Sequence, residues 1–305
     1  MVNKIYHYRA PEKFSFIDNY EETCSFFNII NAMLTNYNDT ISEVVFDFKE
    51  VKYITIDAIM YMLAFNFDKK KEQNVAFAMT LPEKTKERIF IQNCGIHQFL
   101  VNGITHDENI DKYCIIKTSN TVDAEMIKSI HDYIIVRTKH LSLLSRSRLY
   151  NIFVEIVTNS VEHAYTFNKV LPNWYCFVED CGGFLKITFL DVGMGIIESL
   201  FKKQKGSEED LTLRFSNKKY GITRSFIYRA LNGQIIRANN ENINRGRGLP
   251  EIYQFLRETK EIKNFYILSN KEYLSFSRKN NKIHESLYHL KKEFKGTLYY
   301  FEIDK

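Results

Sequence analysis

Glu155, Asn159 and Glu162 fall on one side of a stretch with helical spacing, and Leu149, Phe153, Ile156, Val157, Ser160 and Ala164 fall on the other. A solvated polar face is one reading of the first side. The other reading is chemical. An asparagine amide oxygen is a hard ligand of the kind Mg2+ takes, and one suffices where phosphate oxygens and water fill the remaining positions. A carboxylate one turn earlier, Glu155, can orient or deprotonate a nucleophile beside a terminal phosphate.

Two further segments extend that chemistry. Asp191-Val-Gly193-Met-Gly195 follows the apolar run Leu185 to Leu190, which reads as a strand. A buried carboxylate at a strand end accepts a hydrogen bond from an exocyclic amine such as that of adenine. Glycines beside it let the backbone approach a ring without Cβ atoms. Arg245-Gly246-Arg247-Gly248-Leu249-Pro250 precedes a helical stretch. Backbone N–H groups at a helix N-terminus attract phosphate, the helix dipole adds to this, and Pro250 suits a first turn. Taken alone, these segments are equally a turn after a strand and a capped loop. In this order they describe a site for Mg-ATP.

The set resembles the ATP-binding domain of gyrase, heat-shock chaperones, histidine kinases and mismatch-repair proteins, the GHKL superfamily. Glu155, Asn159, Ser160, His163 and Ala164 match the pattern E-x-x-x-N-[AS]-x-x-H-[AS]. Asp191, Gly193 and Gly195 match D-x-G-x-G, and Gly246, Gly248 and Leu249 match G-x-G-L, with Pro250 in place of the usual small residue. Gly296-Thr297 resembles a late G-T element whose threonine supports the adenine-binding Asp. The resemblance implies Glu155 as the catalytic carboxylate and Asn159 as the Mg2+ ligand. It implies ATP contacts from Asn159, His163, Asp191, Gly193, Gly195, Gly246, Gly248, Leu249 and Thr297. It also implies an α/β sandwich, a mixed sheet with helices on one face. The segment between Gly195 and Gly246 falls at the family's ATP lid and carries Arg214, Lys218, Lys219, Arg224, Arg229, Arg237 and Arg245. Arg247, inside the glycine segment, is the first candidate for a phosphate contact.

The elements that must position these residues follow from periodicity. In the second half, helices are expected over 122–144, 147–167 and 249–260. An antiparallel pair is expected over 175–178 and 184–190, and strands over 264–269, 273–277 and 297–303. In the first half, helices over 17–34, 55–70 and 84–94 alternate with strands over 44–48 and 75–79, which predicts a helix-covered sheet. The chain therefore divides into a domain over 1–110, a linker over 111–125 and the nucleotide domain over 126–305, with α/β (α+β) architecture throughout. The segment from Phe46 to Ala58 resembles the centre of STAS domains, the anti-sigma-factor antagonist fold, and places Asp57 where that family has a phosphorylatable serine. Asp57 reads as a cap, favourable at a helix N-terminus, or as a fixed negative charge in place of a phosphoserine.

At 305 residues the chain has room for two cores. Its 45% hydrophobic and 26% charged residues are ordinary for a globular protein. The net charge of +5 is spread in pairs and triplets without a basic-aromatic face, so no nucleic-acid partner is expected. Five cysteines with no C-x-x-C pair predict free thiols in a reducing compartment. No run is apolar enough for a signal peptide or a membrane span, so a cytoplasmic protein with no membrane contact is expected.

Pairing STAS-like and ATPase-like parts leaves several functions open. They are an ATP hydrolase whose nucleotide state controls a protein partner, a serine/threonine kinase acting on a separate STAS protein, and a non-enzymatic ATP-dependent switch. A sensor histidine kinase would need an acceptor His on a dimeric helical hairpin. His131 and His140 lie upstream of Glu155 but lack that context.

Overall fold

The computed structural model describes residues 4–37, 40–94, 114–163, 174–191, 193–203, 225–234 and 248–305. The chain forms two compact units, Met1–Ile116 and Lys117–Lys305. Together they contain parallel and antiparallel sheets with helices, an α+β architecture.

In the first unit, β1 (Lys4–Arg9), β3 (Ile41–Asp47) and β5 (Ala76–Thr80) make a sheet in the order β1-β3-β5, with β3 parallel to both neighbours. The short strands β2 (Lys13–Phe14) and β4 (Tyr53–Ile54) pair separately. Helices α1 (Tyr20–Asn36) and α2 (Ile56–Gln73) make the crossovers that parallel strands require, and α3 (Thr85–Asn93) follows β5. The core is aromatic: Phe14 meets Phe48 edge-on at 4.9 Å, and Phe27 meets Tyr61 at 4.8 Å.

Asp57 lies in the first turn of α2 and is almost completely buried. Its Oδ2 accepts the backbone N–H of Phe16 at 2.6 Å and of Ile17 at 3.4 Å. The carboxylate thus ties the segment entering α1 to the start of α2, and burial raises its pKa. This is capping across chain segments rather than of its own helix.

The second unit is built on a five-stranded sheet, ordered β6-β7-β8-β10-β9. Its strands are β6 (Cys114–Ser119), β7 (Trp174–Asp180), β8 (Phe184–Asp191), β9 (Ile262–Lys279) and β10 (Lys282–Asp304). The β7–β8, β8–β10 and β10–β9 pairs are antiparallel. β6 occupies residues that the sequence assigns to a linker. It is a sheet edge, and Thr118 Oγ1 donates to the Trp174 carbonyl at 2.7 Å.

The two helices expected over 122–144 and 147–167 are present as α4 (Ala124–Arg137) and α5, which spans Leu143–His163, with the break between them earlier than expected. Thr138 leaves helical geometry at φ −109° and ψ 67°, and its buried hydroxyl donates back to Ile134 O at 2.8 Å. The Ile134 carbonyl, which also accepts the Thr138 N–H at 2.9 Å, thus takes both donors of Thr138 at the helix end. Leu149, Phe153, Ile156, Val157 and Ser160 form the buried side of α5, and Phe153 meets Phe189 of β8 at 5.0 Å. Burying Phe153 is worth about 3–5 kcal/mol against alanine.

The expected strands 264–269, 273–277 and 297–303 are parts of one long hairpin. It closes through Asn280 and Asn281, at φ 50° and 61°, the left-handed pair that a tight hairpin turn demands. Arg278 near its tip donates to the carbonyls of Leu256 at 2.7 Å and of Arg257, Thr259 and Ile262 at 3.3 Å. These bonds cap the C-terminal end of α8 (Gly248–Glu258).

Candidate functional site

The candidate residues come from α5, the end of β8, the N-termini of two helices and β10. Asp191 is the last residue of β8. It stands opposite Thr297 of β10 in the antiparallel register. Both are buried. The Asp191 Oδ1 accepts the Gly193 N–H at 3.2 Å. Burial pushes the Asp191 pKa up to about 7, against the opposing pull of hydrogen bonds from Gly193, Thr297 and Ser160. Ser160 lies on the buried side of α5, so α5 meets the strand end through its core face.

Gly195 opens α6, which spans Gly195–Lys203, at φ +78°. A Cβ there would collide with Asn270 Oδ1 and come within 2.7 Å of Ser269 Oγ. Only glycine meets both demands. Ser269 Oγ accepts the Ile196 N–H at 2.9 Å, and Asn270 Oδ1 accepts the Ile197 N–H at 3.0 Å. Asn270 Nδ2 donates to Met194 O at 2.8 Å. Ser269 Oγ also lies 2.9 Å from Gly296 O and 3.3 Å from Thr297 Oγ1. The Gly193–Ile197 turn, Asp191 and Thr297 are therefore one hydrogen-bonded unit. Periodicity does not mark Ser269 and Asn270, which lie within β9; a polar pair directly after Ile267-Leu268 is the signal that marks them.

On the facing helix, Glu155 and Asn159 are half-buried on one side of α5. The Asn159 amide makes no side-chain hydrogen bond among the described residues. Glu155 packs against Gly248, the first residue of α8: a Cβ on Gly248 would collide with Glu155 Oε2 and lie 3.1 Å from its Cδ. Arg148 pairs with Glu258 at the other end, so α5 and α8 run antiparallel. Between them is a cleft of about 280 Å3 lined by Arg148, Asn151, Ile152, Glu251, Gln254 and Phe255.

Leu249 lies half-buried in the first turn of α8. His163 is the last residue of α5. Gly246 and Arg247 lie outside the described residues, as do Arg214, Lys218, Lys219, Arg224, Arg237 and Arg245. Two groups thus stand assembled: Asp191, Gly193, Gly195 and Thr297 as one, Glu155 and Gly248 as the other, with Ser160 next to Asn159 linking α5 to the first. His131 is engaged elsewhere, its Nε2 lying 2.9 Å from the Arg146 carbonyl.

Asp57, in the first unit, is too buried to present its charge. Cys24, Cys94, Cys176 and Cys181 are free thiols. Among the described residues no group of three or more His, Cys, Asp or Glu gathers as for a metal held by protein alone, and no helix is long and apolar enough to cross a membrane. No protein-family model matches the chain, and no curated protein matches it in sequence.

Proposed function

We propose that residues 117–305 bind Mg-ATP in a site of the GHKL type and hydrolyse it, and that the nucleotide state controls contact with a protein partner. The observation that carries this reading is the buried Asp191 carboxyl. It stands at a strand end beside the Gly193–Gly195 turn and is tied to Thr297 and to the helix bearing Glu155 and Asn159. A carboxyl placed there, with glycine backbone next to it, suits the amine edge of an adenine ring.

The remaining residues fit the rest of the nucleotide. Gly248 starts a helix, where backbone N–H groups and the dipole favour phosphate. Asn159 has an amide oxygen to offer a cation, and Glu155 lies beside that helix start, positioned to orient a nucleophile. Mg2+, bound with the nucleotide, would supply charge neutralisation at the phosphates. The parallel β-α alternation of the first unit supports a STAS-like partner module, with Asp57 as an internal tie.

The test is the fate of γ-labelled phosphate when purified protein is incubated with Mg-ATP. Free labelled phosphate, absent with Glu155→Ala, is the expected result. Label on added STAS-type protein would replace the hydrolase by a kinase. Label remaining wholly on bound ATP would leave a binding switch and contradict turnover.

A further inference from the structure

Two described stretches of the chain between the two glycine segments are tied to one short part of β9. At the leading end, Ser269 and Asn270 hold the first turn of α6 through the Ile196 and Ile197 N–H groups. Further along, α7 (Phe226–Leu231) is held by Glu272. Glu272 is buried, and its Oε2 accepts the Ser225 hydroxyl at 2.6 Å and the Ile227 N–H at 3.0 Å. Its Oε1 accepts the Phe226 N–H at 3.0 Å. A buried carboxylate with this set of donors is a strong fixed point, because charge-assisted hydrogen bonds are stronger than neutral ones.

α7 in turn rests on the start of α8. A methyl on Gly233, just past α7, would touch Pro250 Cγ at 3.8 Å, and Tyr228 meets Tyr253 edge-on at 6.0 Å. Asn270 itself adopts φ +53°, and there β9 departs from regular pairing with β10. The departure aims Asn270 at the Met194–Ile197 turn while Glu272 reaches α7.

We propose that Ser269, Asn270 and Glu272 are positioning residues that set the spacing between the base-binding turn at Gly193–Ile197 and the phosphate-binding start of α8. This rests on the ATP reading of the site. Glu272 acts on the phosphate end alone, through α7 and Pro250. Asn270 acts on the base end. None of the three touches the nucleotide.

The two roles separate by comparing Mg-ATP with adenosine, which has no phosphate, in equilibrium binding. Glu272→Gln sets an NH2 group against a donor and should weaken ATP about tenfold while adenosine changes less than about twofold, tenfold being about 1.4 kcal/mol. Asn270→Gly keeps the backbone conformation, removes the side-chain bonds to Ile197, Met194 and Glu293, and should weaken ATP and adenosine by the same factor. Glu272→Asp, which keeps the charge and shortens the reach, should repeat the Glu272→Gln pattern. Equal loss of both ligands in the Glu272 variants, or no loss of either, would overturn the proposal. So would failure of both Glu272 variants to fold where Asn270→Gly folds. Wild-type protein that binds neither ligand would instead overturn the ATP reading, and it is recognised before any variant is made.

Discussion

The Glu155 carboxylate lies where a side chain on Gly248 would have to be. The start of α8 can approach α5 only because Gly248 has no Cβ, and Glu155 is held beside a helix N-terminus as a result. Gly248→Ala should cost about 1–3 kcal/mol in stability by overpacking and displace the Glu155 carboxylate. Thermal unfolding and ATP turnover measured together should show both losses. Adding Glu155→Ala should restore the melting temperature without restoring turnover.

Asp191 makes stability and binding depend on pH. Its carboxyl, near 3.8 when unfolded, is pushed up to about 7 by burial, so the folded state holds a proton that the unfolded chain has lost. Its contribution is full below the unfolded value and is lost as pH rises through the folded one. Stability should therefore fall between those values by a total of about 4 kcal/mol, since each unit is about 1.36 kcal/mol. Asp191→Asn should flatten that slope in urea titrations run across the range. ATP affinity should move oppositely, rising as pH passes about 7, because the charged carboxylate is the better acceptor for an amine.

Arg278 should be a stability residue with no direct role at the nucleotide. Arg278→Ala leaves several carbonyls at the end of α8 without their donor, and an unsatisfied buried group costs about 1–3 kcal/mol. Chemical denaturation should show that loss, with Glu155-dependent turnover kept in the folded protein.

Asp57→Ala should destabilise the first unit by a similar amount, about 1–3 kcal/mol, because the Phe16 N–H loses its buried acceptor. ATP affinity of the second unit should not change. A variant that loses ATP binding while the melting temperature holds would contradict the structural role given to Asp57.

The elements carrying the candidate site were the most legible in the sequence. α5, β8 and α8 each show a clear period, and Glu155, Asp191 and Gly248 sit on them at distinctive positions. What could not be read was long-range. The β9–β10 hairpin reads as separate strands because Asn270 sits at positive φ and the partner strand slips register between His289 and Thr297. The Asn280-Asn281 turn was the available clue. α4 ends at Arg137 rather than near 144, where the Thr138 hydroxyl turns back to the Ile134 carbonyl, a contact that a periodic pattern does not record. The supports at Ser269, Asn270 and Glu272 act across the fold on Ile196, Ile197 and Ser225, and no local pattern pairs them.

The most direct measurement is calorimetric titration of Mg-ATP into wild-type protein and into Asp191→Asn at a pH above the Asp191 midpoint. The expected result is saturable binding to the wild type and at least about tenfold weaker binding to the variant, about 1.4 kcal/mol. Equal affinity in the two proteins, or no binding to the wild type, would contradict the assignment of this site to ATP.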